Sequence, residues 1–160
     1  SRKVHVLDSY LDQVSMLLWP RFKVVLDAHT DSVKHANVKA LVTPSGDREP
    51  HIVVRRFAEL TAAIHCLNPT KEQLLQRSLD FVGNEVEGLL RRLAAEFSPV
   101  RRQLVFLINQ YDQILTIFTE RAVAPEHMTK YEELRDAQVA LFVEEELSSR
   151  YGQILEFVKQ

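Results

Sequence analysis

Apolar residues in this chain recur every three or four positions, the repeat that places side chains on one face of an α-helix. Leu11, Val14, Leu18, Phe22, Val25 and His29 mark a first helix from about Ser9 to Ala36. Pro20 falls inside it. A proline ring removes one backbone hydrogen bond and crowds the carbonyl four residues back, so the pattern predicts a kinked helix or two helices meeting near Trp19. Residues 37–50 then collect Asn37, Thr43, Pro44, Ser45, Gly46, Asp47 and Pro50. Such turn formers predict the longest internal loop of the chain.

The repeat resumes with Val53, Phe57, Leu60, Ile64 and Leu67, a helix closed by Asn68 and Pro69. Thr70 and Gln73 have the spacing of a capping box, opening a helix to about Phe97 whose stripe is Leu75, Leu79, Val82, Val86, Leu89, Leu93 and Phe97. Ser98 and Pro99 signal a restart, because serine caps and proline is tolerated in a first turn. Leu104, Leu107, Ile108, Tyr111, Leu115 and Phe118 carry that helix to about Ala122, and Gln103–Asp112 reads as core. Thr129 with Glu132 opens a last helix through Leu134, Leu141, Leu147, Tyr151, Leu155 and Val158, with a bend or break expected near Ser148, Ser149 and Gly152. The expected fold is all-α: an elongated up-and-down bundle or rod of about five helices, with no βαβ alternation. Residues 1–160 read as one helical-bundle fragment of a longer chain, since the last pattern is still running at Gln160.

Composition narrows the function. The 20 Lys+Arg against 22 Asp+Glu give a net charge of −2, so no global basic field exists to hold nucleic acid. Cys66 is the single cysteine, which rules out an internal disulfide and fits a cytosolic protein. No apolar run approaches the ~20 residues of a membrane-spanning helix.

Candidate chemistry is sparse. The six histidines offer no pair at helical spacing and there is no Cys-x-x-Cys, so no metal or other cofactor is expected. His65 and Cys66 are adjacent, and adjacent helical residues point about 100° apart, too far round to form a thiolate pair. Gly46 is isolated and makes no phosphate cradle. The run Glu144, Glu145, Glu146 fans round a solvated face, and Trp19 reads as a core anchor. Three arginine pairs remain: Arg55-Arg56, Arg91-Arg92 and Arg101-Arg102. Ion pairing with neighbouring glutamates is one reading. The other is a positive patch for an acidic partner, for which Arg55, Arg56, Arg91 and Arg92 are the candidates; a variant of it is an adaptor that docks these pairs on anionic membrane.

Several strings together resemble the vacuolar protein sorting subunit fifty-two family: Leu17-Leu18-Trp19-Pro20-Arg21-Phe22, Arg55-Arg56-Phe57-Ala58-Glu59-Leu60, Asn84-Glu85-Val86-Glu87, Leu93-Ala94-Ala95-Glu96-Phe97-Ser98, the segment Gln103 to Asp112, Ala140 to Leu147, and the ending Phe157-Val158-Lys159. They stand in family order from about Tyr10 to Lys159. The chain departs from the family at Gln110, where a second Asn is expected, and at Phe57 and Leu60, where Tyr and Phe are expected. The resemblance implies a non-enzymatic subunit of the Golgi-associated retrograde protein complex and of its endosomal recycling counterpart. It further implies sister tethering subunits, a small Rab or Arf-like GTPase and SNARE proteins as partners, and peripheral attachment to the cytosolic face of the trans-Golgi network and endosomes.

Overall fold

The computed structural model describes residues 7–43, 46–67 and 73–158, with side chains as far as Tyr151. Among them are six α-helices and no strand: α1 (Asp8–Lys34), α2 (Val38–Leu41), α3 (Ile52–Leu67), α4 (Gln73–Ala94), α5 (Val100–Glu120) and α6 (Thr129–Val158), with a 3-10 turn at Pro125–His127. The five long helices are those the apolar repeat predicts, and the all-α bundle stands. The one-turn α2 lies inside the turn-rich stretch 37–50. Asn68, Pro69 and Thr70, and the side chains of Gly152, Leu155 and Val158, lie outside the described residues.

Pairwise contacts fix the directions. α5 is the central helix. α3 runs parallel to it, since the His51 N–H donates to Gln110 Oε1 at 2.7 Å near one end and Cys66 Sγ reaches the Arg121 carbonyl at 3.5 Å near the other. α4 lies antiparallel to both, with Phe97 against Phe106 at a centroid distance of 5.2 Å and Gly83 against Phe57. α6 returns antiparallel along α5, as Phe118 meets Tyr131, Asp112 meets Arg135 and Arg101 meets Glu146 at 2.6 Å. α1 packs on α4, where Arg92 donates to the Val33 carbonyl at 3.1 Å. Val54, Ala58, Val86, Leu89, Leu90, Ile114 and Phe118 are all but sealed from solvent. Each large apolar side chain so buried contributes about 1.5–3 kcal/mol.

α1 differs most from expectation. It runs through Pro20 as one helix, and its buried residues are Leu26 and Thr30, flanked by half-buried Trp19, Phe22 and Val33. Leu11, Leu18, Val25 and His29 from the predicted stripe are exposed, because α4 meets the other face and only its C-terminal part. Thr30 tolerates burial by donating to the Leu26 carbonyl at 2.8 Å. Trp19 tilts against Phe22 at 5.8 Å, half in solvent and so only partly an anchor.

Elsewhere the corrections are small. The buried face of α3 is Val54, Phe57, Ala58, Thr61, Ala62 and Ile64, rotated from the predicted stripe, so that Leu60 and Leu67 face out. Ser98 makes no cap. Pro99 occupies that position without a side-chain bond, and Gln103 Nε2 instead donates to the Phe97 carbonyl at 2.8 Å. α5 ends with the Val123 N–H on the Phe118 carbonyl at 2.9 Å and Ala122 at φ 53°, a left-handed position that glycine usually fills. The Thr129–Glu132 box does not form: the Glu132 N–H goes to the Met128 carbonyl at 3.1 Å, and Thr129 Oγ1 donates to Pro125 O. In α6, Tyr131, Leu134 and Phe142 face α5, while Leu141 and Leu147 point to solvent. Helical geometry lapses at Tyr151 (φ −126°, ψ 17°), within the stretch where a break was expected.

Candidate functional site

The arginine pairs divide by the faces that carry them. On α3, buried Val54, Phe57 and Ala58 turn Arg55 and Arg56 outward, and Arg55 Nε binds Glu59 Oε1 one turn on, at 3.2 Å. Arg56 is exposed with no hydrogen bond or ion pair among the described residues. On α4, Arg91 binds Glu87 Oε1 one turn back, at 2.6 Å, while Arg92 is tied to Val33. The antiparallel course of α3 and α4 puts both pairs toward the same end of the bundle. Each ion pair is solvent-exposed on its arginine side and so contributes little to stability.

Arg101 and Arg102 are structural instead. Arg101 holds Glu146 and lies 5.9 Å over the Phe142 ring, joining α5 to α6. Arg102 grips Asp47 through two bonds, Nε to Oδ2 at 3.0 Å and Nη2 to Oδ1 at 2.7 Å. That guanidinium holds the Asp47 carboxyl below the usual carboxylate range. Asn109 Nδ2 donates to the Asp47 carbonyl, and Gln110 Nε2 to the Glu49 carbonyl at 3.1 Å. Three α5 side chains thus pin the connector between α2 and α3. Asn109 reads from the sequence as a hydrogen-bonding residue at a helix junction, but the partners lie 55 to 62 residues away and are not named by it.

The fold also gathers a small pocket of mixed lining, about 110 Å³, with His65, Thr61, Asp80, Glu126, His127 and Lys130 set among Phe57, Leu79, Phe118 and Tyr131. His65 and His127 stack with ring centroids 3.8 Å apart and planes 24° from parallel. Burial lowers the pKa of His65, the charge of His127 lowers it further, and Asp80 and Glu126 oppose the shift. The same fold turns Cys66 to the Arg121 carbonyl, away from His65. Thr61 Oγ1 is buried and has no hydrogen-bond partner, neither imidazole included. Among the described residues no three His, Cys, Asp or Glu side chains converge to hold a metal ion. In the core, burial pushes the Tyr111 hydroxyl up to about 12, with the Glu87 charge adding to it.

No described helix is long and apolar enough to cross a membrane. What the surface does show is apolar area without cover, on the N-terminal half of α1 and along α6 at Val139, Val143 and Leu147.

Comparison with known proteins closes the description. The family model described as "Vps52, C-terminal" matches residues 1–143. Vacuolar protein sorting-associated protein 52 A of Arabidopsis thaliana is 40% identical over 162 residues, covering 99% of this chain and 22% of the relative. The vacuolar protein sorting-associated protein 52 homolog of Rattus norvegicus is 39% identical over 99% of this chain and 22% of its own length. The corresponding protein of Schizosaccharomyces pombe is 28% identical over 83% of this chain and 27% of its own length. The chain thus spans about a fifth of the length of the first relatives it matches. No solved structure matches.

Proposed function

The chain belongs to the Vps52 family, in the family's C-terminal region, and from that premise we propose that it serves as a non-enzymatic subunit of a vesicle-tethering complex. The complexes intended are the Golgi-associated retrograde protein complex and the endosome-associated recycling protein complex, acting in endosome-to-trans-Golgi transport and endosomal recycling. The observation that carries this reading is alignment of 99% of the chain, at 40% identity, with a vacuolar protein sorting-associated protein. A bundle whose polar groups serve ion pairs and connectors, and whose apolar residues reach the surface in stripes, suits adhesion between proteins.

In this reading the partners are sister tethering subunits, a small Rab or Arf-like GTPase and SNARE proteins, met at the cytosolic face of the trans-Golgi network and endosomes. Arg55, Arg56, Arg91 and Arg92 form the electrostatic contact. Arg56 is the most available of them, and Glu59 and Glu87 temper the charge of Arg55 and Arg91. That tempering disfavours the alternative, an adaptor that docks on anionic lipid through the same arginines.

Affinity purification of the tagged full-length protein from cells tests the reading. Sister subunits, a GTPase or SNARE proteins are expected to accompany it, and their absence would overturn it. Replacing Arg56 and Arg92 together by Glu should weaken one partner while helicity by circular dichroism is kept. Unchanged recovery of every partner removes the arginine contact. Salt-sensitive flotation of the purified protein with anionic vesicles would favour the adaptor.

A further inference from the structure

The connection between α5 and α6 is fastened at both ends and loosely held between them. Val123 is buried in the core and Met128 packs against it, while Pro125 and Glu126 lie in solvent. Among the described residues, the backbone of the Pro125–His127 turn comes close to no helix but α6. A side-chain contact joins it to α3: the ring of His127 lies on that of His65, with 3.8 Å between centroids and 24° between planes.

Two imidazoles so arranged pack well while neutral and repel when both are protonated, the more so at a site half shielded from water. The charged groups around the pair do not cancel that repulsion. Asp80 of α4 is engaged by Gln76 Nε2 at 2.9 Å. Glu126 belongs to the turn and travels with it. Lys130 of α6 holds its ammonium on Asn84 Oδ1 at 2.8 Å, and burial keeps the Tyr131 hydroxyl neutral. α5 presents uncharged Phe118 to the pocket, and its terminal Arg121 is exposed. At His65, burial and the His127 charge outweigh the two carboxylates, so the closed joint favours a neutral ring. Thr61 lines the same pocket, and its buried hydroxyl, without a partner here, gains water on opening.

We propose that the stacked pair is a proton-operated clasp: with neutral rings it holds residues 124–127 against the end of α3, and with both rings protonated the turn swings away about Val123 and Met128, opening the pocket while the long helices stay packed. His65 has the sign that such a device requires. Its pKa is lowered in the closed joint, so closure is fully supported above the ordinary value of 6.5 and weakens as pH falls below it. The clasp does not rest on the tethering reading.

Hydrogen exchange by mass spectrometry on the full-length protein, corrected for the intrinsic effect of pH on exchange, tests the clasp at pH 7.5 and pH 5.5. Protection in peptides covering residues 61–67 and 121–128 should fall about threefold or more at the lower pH, with α5 unchanged. Phenylalanine keeps a flat ring without the charge, so protection in His65→Phe or in His127→Phe should be the same at both pH values. Protection at the joint that ignores pH, a loss that spreads evenly through α5, a loss confined to the His51 end of α3, or a pH response that survives in both variants would each overturn the inference. Should either variant fail to fold, the contrast between the joint and α5 in the unsubstituted protein still decides.

Discussion

The imidazole of His65, in the last turn of α3, lies face to face with that of His127, in the turn before α6, with 3.8 Å between ring centroids. The contact joins positions 62 apart in sequence, and Asp80 of α4 and Lys130 of α6 line the same pocket. Burial and the His127 charge lower the His65 pKa, so the fold favours the neutral ring. Burial acts likewise on His51. Stability from such groups is complete above the ordinary value of 6.5 and is lost as pH falls below it. The melting temperature should therefore drop between pH 7.5 and pH 5.5, and His65→Phe should make that drop smaller. Thermal melts across the interval check both.

The two glycines of α4 should respond oppositely to alanine. A Cβ at Gly88 meets nothing within 4 Å, so Gly88→Ala should gain the helical preference of alanine, about 1 kcal/mol, or about 2–4 °C in Tm. A Cβ at Gly83 would stand 3.1 Å from the Tyr131 hydroxyl and 3.5 Å from Phe57, and Gly83→Ala should fail to stabilise. In a Tyr131→Phe background the gain should reappear, which denaturant titration of the four variants would show.

Adjacent residues separate the two faces of α1. Leu26 is 3% exposed, and Leu26→Ala should cost about 2–5 kcal/mol. Val25 is 55% exposed, and Val25→Ala should stay within about 0.5 kcal/mol in this chain alone. Equal losses in urea melts would mean that both faces are covered within one molecule.

Gln110 is fully buried, taking the His51 N–H and giving its own amide proton to the Glu49 carbonyl. Gln110→Leu preserves bulk but strands both backbone groups, a loss of about 1–3 kcal/mol. Protease cleavage in the connector, followed by mass spectrometry, should speed up more than cleavage elsewhere.

Helix number and type were legible because the apolar repeat is a local property. The α4 stripe was read almost residue for residue, since α4 meets neighbours along its whole length. α1 was misread for a physical reason: its sequence carries two stripes, and periodicity does not say which one this bundle covers. The capping boxes misled because their spacing is common and tertiary contacts offered the backbone other partners. Arg55, Arg56, Arg91 and Arg92 were found as pairs in sequence. The grip of Arg102 on Asp47 and the stacking of His65 on His127 depend on residues brought together only by the fold, and no local signal marks them. Two of the family departures, Phe57 and Gln110, turn out to be interior positions, so they bear on packing.

α1 is a rigid stick clamped at one end. None of its side chains before Leu26 is fully buried, and Tyr10 stands about 24 Å along the axis from that fulcrum. A tilt of about 10° at the clamp sweeps the tip through about 4 Å, the width of a side chain. A small shift in how Leu26 rests on its neighbours is therefore magnified at the free tip.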